Sequence, residues 1–162
     1  MLVRCTARLI KVLDAQVHAD DHPGCEEWYA NLLWIERRKC VLVMHAPTLF
    51  AVVIPDVRAR ELRPIGPLLV RHIGLALAAE NVPQDTLGPL DRDRVRIAMT
   101  SSRHLLGHLG ETAHTCRYAV EAAGGLEEID VPDLNRTLAR QLHHVSGEYQ
   151  QPLELLHARA SA

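Results

Sequence analysis

The chain has 162 residues, 48% apolar and 23% charged, with 20 acidic and 18 Lys or Arg side chains and a formal net charge of -2. That length makes one domain the default and supports an independent core. The composition excludes a disordered coil, a collagen-like fibre and a strongly basic nucleic-acid coat.

Met1 to Thr6 reads as a first strand, and Thr6 as the cap of a helix with Leu9, Ile10 and Leu13 on one face. Ala15 to Gly24 is polar and reads as a loop. Trp28 to Ile35, Cys40 to Met44 and Leu49 to Ile54 read as three strands. They are joined by the charged turn Glu36-Arg37-Arg38-Lys39 and the turn His45-Ala46-Pro47-Thr48. Turns this short join antiparallel strands. Both faces of these strands are apolar, which calls for cover on both sides, by helices or by a partner. Pro67 opens a helix with the stripe Leu69, Ile73, Ala76 and Leu77, ending near Asn81. Asp93 to Met99 alternates as a strand. Ser101 or Ser102 then caps a long helix that stops at Gly124-Gly125. Asp133 to His144 reads as helical, followed by a turn and a short helix from Pro152 to Ala158. The predicted fold is therefore one α+β domain over residues 1–162, an antiparallel sheet with a central three-stranded meander and three to four packing helices.

The four cysteines, Cys5, Cys25, Cys40 and Cys116, are far apart and form no CxxC pair. Arg4 and Arg8 interrupt the first apolar stretch, so it does not read as a signal peptide. The most apolar window, Pro67 to Ala79, contains Arg71 and His72 and falls short of a membrane span. Reduced thiols in a cytoplasm, with no membrane contact, are the expected setting.

Several patches together carry a family resemblance: Arg4-Cys5-Thr6 with Leu9 and Leu13; Trp28-x-Ala30-Asn31-Leu32; Ile35 with Arg37-Arg38-Lys39 and Val41-Leu42; and Ser102-Arg103-x-Leu105-Leu106-Gly107. In order and spacing the chain resembles an uncharacterised bacterial family, the DUF6933-like domain, most strongly up to about residue 125. The resemblance implies a fold and names no activity. His104 and His108 stand where that family usually has small hydroxyl residues, and Gly110-Glu111 where it has Asn-Asp.

Ten histidines beside only six aromatic residues suggest metal chemistry. His104, His108 and Glu111 share one helix face at i, i+4 and i+7, a spacing that suits a two-His-one-carboxylate zinc site. The apolar stripe Leu105, Leu109, Ala113, Cys116 and Val120 lies nearly opposite, so that face is expected to meet solvent. His18, His22 and Cys25, and His114 with Cys116, are weaker groupings; His143 and His144 read as surface or boundary residues on different helix faces. A second candidate is an anion- or partner-binding surface made by Arg37, Arg38 and Lys39 with Trp28, Asn31, Arg103 and Gly107. Gly107 and Gly110 each cost a helix about 1 kcal/mol relative to Ala, which suggests tight packing against the sheet.

No G-x-S-x-G elbow, Walker A loop or G-x-G-x-x-G turn is present. The expected function is a non-enzymatic binding or regulatory protein, adaptor- or inhibitor-like, engaging a protein or protein complex without a cofactor; self-association through the apolar sheet is compatible with it. The alternatives are a metal-assisted hydrolase centred on Arg103, His104, His108 and Glu111, and a nucleic-acid accessory protein acting through Arg37, Arg38 and Lys39.

Overall fold

A computed structural model describes residues 1–19 and 26–162; His22 and Cys25 lie outside the described residues. The chain runs β1 (Leu2–Cys5), α1 (Ala7–Leu13), β2 (Glu27–Ile35), β3 (Arg38–His45), β4 (Ala51–Ile54), α2 (Gly66–Ala79), β5 (Arg96–Met99), α3 (Arg103–Ala123), α4 (Val131–Ala139), β6 (His143–Val145), β7 (Glu148–Gln150) and α5 (Pro152–Ala160). Thr6 caps α1 by accepting from the Leu9 amide, Ser102 caps α3 from the Leu105 amide, and Gly124 closes α3 in the left-handed conformation.

The main sheet has the order β4-β3-β2-β1-β5. β2, β3 and β4 form the expected antiparallel meander, but β1 pairs in parallel with both β2 and β5. The sheet is thus mixed, not antiparallel. A strand that leads through a helix returns in the same direction: β1 reaches β2 through α1, whereas β2 reaches β3 through a tight turn. Among the described residues, five α-helices pack around the sheets, more than the three to four expected.

Strand alternation splits the core in two. Trp28, Ala30, Leu32, Val41, Val43, Val52 and Ile54 face α1, α2 and α5, while Tyr29, Leu33, Cys40, Leu42, Met44 and Val53 face α3 and α4. The two-sided apolar pattern is therefore satisfied within the chain. α4 lies along the β4 edge, where the Asn135 amide closes the open ladder: its oxygen accepts from the Val53 amide at 2.8 Å and its nitrogen donates to the Val53 carbonyl at 3.3 Å. Cys5, Cys40 and Cys116 are buried and unpaired in disulfides, and burial pushes the Cys5 and Cys116 thiols up to about 12. Among the described residues no helix is long and apolar enough to cross a membrane.

The segment from Asp133 to His144 is not one helix. Asp130 caps α4, which ends at Ala139, and His143 begins a two-stranded hairpin turned by Ser146 and Gly147, both at positive φ. That pair of left-handed residues is the geometry a two-residue hairpin requires, and it pulls His143 and His144 into extended backbone.

Among the described residues, Gln141 Oε1 is buried without a hydrogen-bond partner, whereas the buried charged groups of the sheet are paired. Arg4 and Glu27 form a bidentate ion pair at 2.9 Å for each contact, and Arg4 also donates to the Met99 carbonyl, tying β1 to both neighbours. His45, fully buried, holds the Thr48 hydroxyl at Nδ1 and the Glu26 carboxylate at Nε2, both at 2.9 Å; Glu26 in turn pairs with Arg159 of α5. Burial pushes the His45 imidazole down to about 4, outweighing the nearby carboxylate. Its folded-state value lies below the unfolded one, so its contribution is complete above about pH 6.5 and is lost as pH falls toward 4. Urea unfolding should show stability declining over that interval, with a flatter profile for His45→Gln. Asn135→Ala, which strips the β4 edge of its partner, should cost about 1–3 kcal/mol by the same measurement.

Candidate functional site

Among the described residues, the side chains singled out by the sequence fall mainly at two places. The first is the β2–β3 hairpin. Glu36 and Arg37 occupy its two turn positions with φ of 48° and 64°, so the turn is two residues long and Arg38 and Lys39 belong to β3. The Glu36 carboxylate accepts from the Leu126 amide at 3.0 Å, which fixes the turn against the segment following α3. Arg38 pairs with Glu127 and, at 3.7 Å, with Asp56. Lys39 lies opposite Trp34 in the ladder and places its ammonium 5.1 Å from the indole centroid. Trp34 is 48% exposed, although most residues of β2 are buried. Arg37 is exposed at the tip.

The other residues of the expected anion surface do not join this tip. Trp28 is buried at the far end of β2, seven residues from Ile35 and so about 23 Å away along the strand. Asn31 is held inside by the Thr6 hydroxyl, which donates to its side-chain oxygen at 2.8 Å. Arg103 and Gly107 lie in the first turns of α3, near the Tyr29–Ser101 hydroxyl contact, whereas Gly125 beyond its other end sits by Glu36. The 21 residues of α3 span about 30 Å and separate the two locations.

The second place is on α3 itself. The expected face of His104, His108 and Glu111 forms, but it does not lie clear of the core: His108 is 5% exposed. The buried arc of α3 runs from His108 through Thr112 to Ala113, wider than the apolar stripe alone, because the chain after α4 comes back across this flank. It brings His143, which is 1% exposed. The His108 and His143 Nδ1 atoms stand 3.3 Å apart, His108 Nδ1 lies 3.5 Å from the Glu111 carboxylate, and His108 Nε2 lies 3.1 Å from His104 Nε2. Their rings meet edge to face. Burial, followed by the neighbouring His104, lowers the His108 pKa against the opposing pull of Glu111; burial, followed by His108, lowers that of His143. Both imidazoles are therefore held neutral at pH 7.

His143 is the residue that helical reading of the sequence misses. The signal was the Ser146-Gly147 turn between His144-Val145 and Glu148-Tyr149, which marks a hairpin. His144 instead faces outward beside Tyr149, and His114 is exposed. Of the grouping His18, His22 and Cys25, only His18 lies among the described residues, beside β5, where its amide donates to the Ile97 carbonyl. Cys116 is buried in the α3 stripe.

Gly107 and Gly110 do not mark close packing. A β-carbon built on either meets nothing within 4 Å. Gly107→Ala and Gly110→Ala should each raise stability by about 0.5–1 kcal/mol in urea unfolding, since only the helix-propensity term remains.

Residues 2–155 match the family model described as Domain of unknown function (DUF6933). No curated protein and no solved structure matches the chain. The match takes in both loci and every element up to the first turn of α5, so this chain belongs to the DUF6933 family.

Proposed function

We propose that this chain is a non-enzymatic binding protein that engages an acidic protein partner through the β2–β3 hairpin. The observation that carries this reading is Trp34: a half-exposed indole with the Lys39 ammonium over its ring, on the strand that leads into the turn where Arg37 is exposed. Large aromatic side chains flanked by cations supply much of the energy in protein interfaces and are costly to leave in water. Lys39 and Arg37 add attraction for an acidic surface. The same region disfavours a polyanion, since Glu36, Asp56 and Glu127 place three carboxylates beside its cations. A sheet-mediated dimer is less favoured than the tip, because helices cover both sheet faces and Asn135 closes the β4 edge.

The metal-assisted hydrolase keeps one supporting observation, the convergence of His104, His108 and Glu111. The cleft lined by Leu13, Arg63, Ile65 and Arg92 opens on the opposite side of the sheet from these histidines and is not part of that arrangement.

The test is affinity capture from the native cell with wild-type protein and with Trp34→Ala and Arg37→Glu/Lys39→Glu variants, followed by calorimetry with the protein recovered. Trp34→Ala should weaken the interaction by at least about 2 kcal/mol, roughly 30-fold in Kd, and charge reversal should abolish its salt dependence. Equal capture by all three proteins, or capture that nuclease treatment removes, would overturn the reading.

A further inference from the structure

We infer that His108, His143 and Glu111 form a binding site for a divalent transition-metal ion of the zinc class, with His104 as the positioning residue that sets which nitrogen of His108 binds it. This site is separate from the hairpin tip and does not depend on the partner-binding reading.

The geometry is that of a ligand set before the ion arrives. The one-per-residue ligand atoms all lie within 4.8 Å of one another. Four ligands at about 2.1 Å from a tetrahedral centre are separated by about 3.4 Å. The two spacings at His108 Nδ1, 3.3 Å to His143 Nδ1 and 3.5 Å to Glu111, bracket that value. His143 is fixed on β6 and His108 on α3, 35 residues apart in sequence, so two of the ligands are held by packing. Glu111 is the solvent-facing member and closes the third edge by adjusting its side-chain rotamer.

One pair of histidine tautomers presents the lone pairs that a cation needs. His108 has its Nε2 against His104 Nε2 and its Nδ1 against both His143 and Glu111. When His108 carries its proton on Nε2 and donates it to the His104 lone pair, the Nδ1 lone pair points at His143 Nδ1 and at a carboxylate that only accepts. When His143 carries its proton on Nε2, its Nδ1 lone pair joins the His108 Nδ1 lone pair and the Glu111 carboxylate as a third acceptor, and a metal ion satisfies all three at once. His104 thereby plays the part usual for a hydrogen-bond partner behind a ligating imidazole, fixing tautomer and ring orientation. This differs from the arrangement that helical spacing suggested, in which His104 itself would be a ligand.

Two imidazole nitrogens and one carboxylate oxygen suit zinc(II), cobalt(II) or nickel(II) better than magnesium or calcium, which prefer all-oxygen sets. Three protein ligands leave a coordination position on the Glu111 side, where water or a partner's donor can enter. The ion would also tie the β6–β7 hairpin to α3.

The experiment titrates zinc into the chelator-treated full-length chain by calorimetry, with visible absorption of the cobalt(II) form as a second readout. One saturable equivalent is expected. Glu111→Gln and His143→Gln should each weaken it at least tenfold, and His104→Ala should weaken it about 10–100-fold while leaving the stoichiometry at one. His114→Ala, on an exposed histidine of the same helix, should change nothing. Because Glu111 is exposed, its variant keeps the test valid even if His143→Gln fails to fold. The absence of one-equivalent binding, or binding indifferent to Glu111→Gln, would overturn the site. Unchanged affinity in His104→Ala would remove the positioning role.

Discussion

β2 and β3 carry apolar side chains on both sides of the sheet, and neither side can be left in water. Tyr29, Leu33, Leu42 and Met44 on one face and Trp28, Leu32, Val41 and Val43 on the other are all buried. At about 25 cal/mol per Å² of apolar surface, each such side chain contributes roughly 1.5–3 kcal/mol when covered. The positions of the helices follow from this. α1, α2 and α5 cover one face, and α3, with α4 at its flank, covers the other. α4 also reaches the β4 edge, which Asn135 closes.

The histidine cluster is a consequence of that cover. α3 lies on the β2–β3 hairpin with Leu109, Ala113, Cys116 and Val120 inward, and this leaves His108 at the edge of the contact. Once α4 has crossed to the β4 edge, the chain must return, and its first extended residues bring His143 against His108. Two neutral imidazoles are then desolvated together because of where apolar residues elsewhere had to go.

Charged groups divide by environment in the same way. Arg4 and Glu27 are nearly inaccessible and bidentate, so removing either partner would strand a buried charge at a cost of about 3–5 kcal/mol. Arg38 with Glu127 and Asp56 is open to solvent, which screens its ion pairs. The hairpin tip can therefore exchange its internal partners for external ones at little cost, whereas the Arg4–Glu27 pair is fixed. The proposed contact surface rests on this difference in exposure and not on the number of cations.

Local chemistry was legible in the residues. Thr6 and Ser102 cap helices, Gly124 ends one, and the three meander strands follow their alternation, because each of these features is decided within a few neighbouring positions. His104, His108 and Glu111 shared a face for the same reason. What spacing could not supply was the direction of β1, set by a crossover through α1, or the exposure of His108, set by elements more than twenty residues away. Nor could it place Trp28 apart from Arg37, since a strand about 23 Å long separates residues that a pattern lists side by side. The sequence alone determined an α+β chain with a two-faced hairpin and a histidine-rich helix. Tertiary structure decided that His143 completes the histidine group, because only packing of distant segments brings a β6 side chain within 3.3 Å of an α3 imidazole.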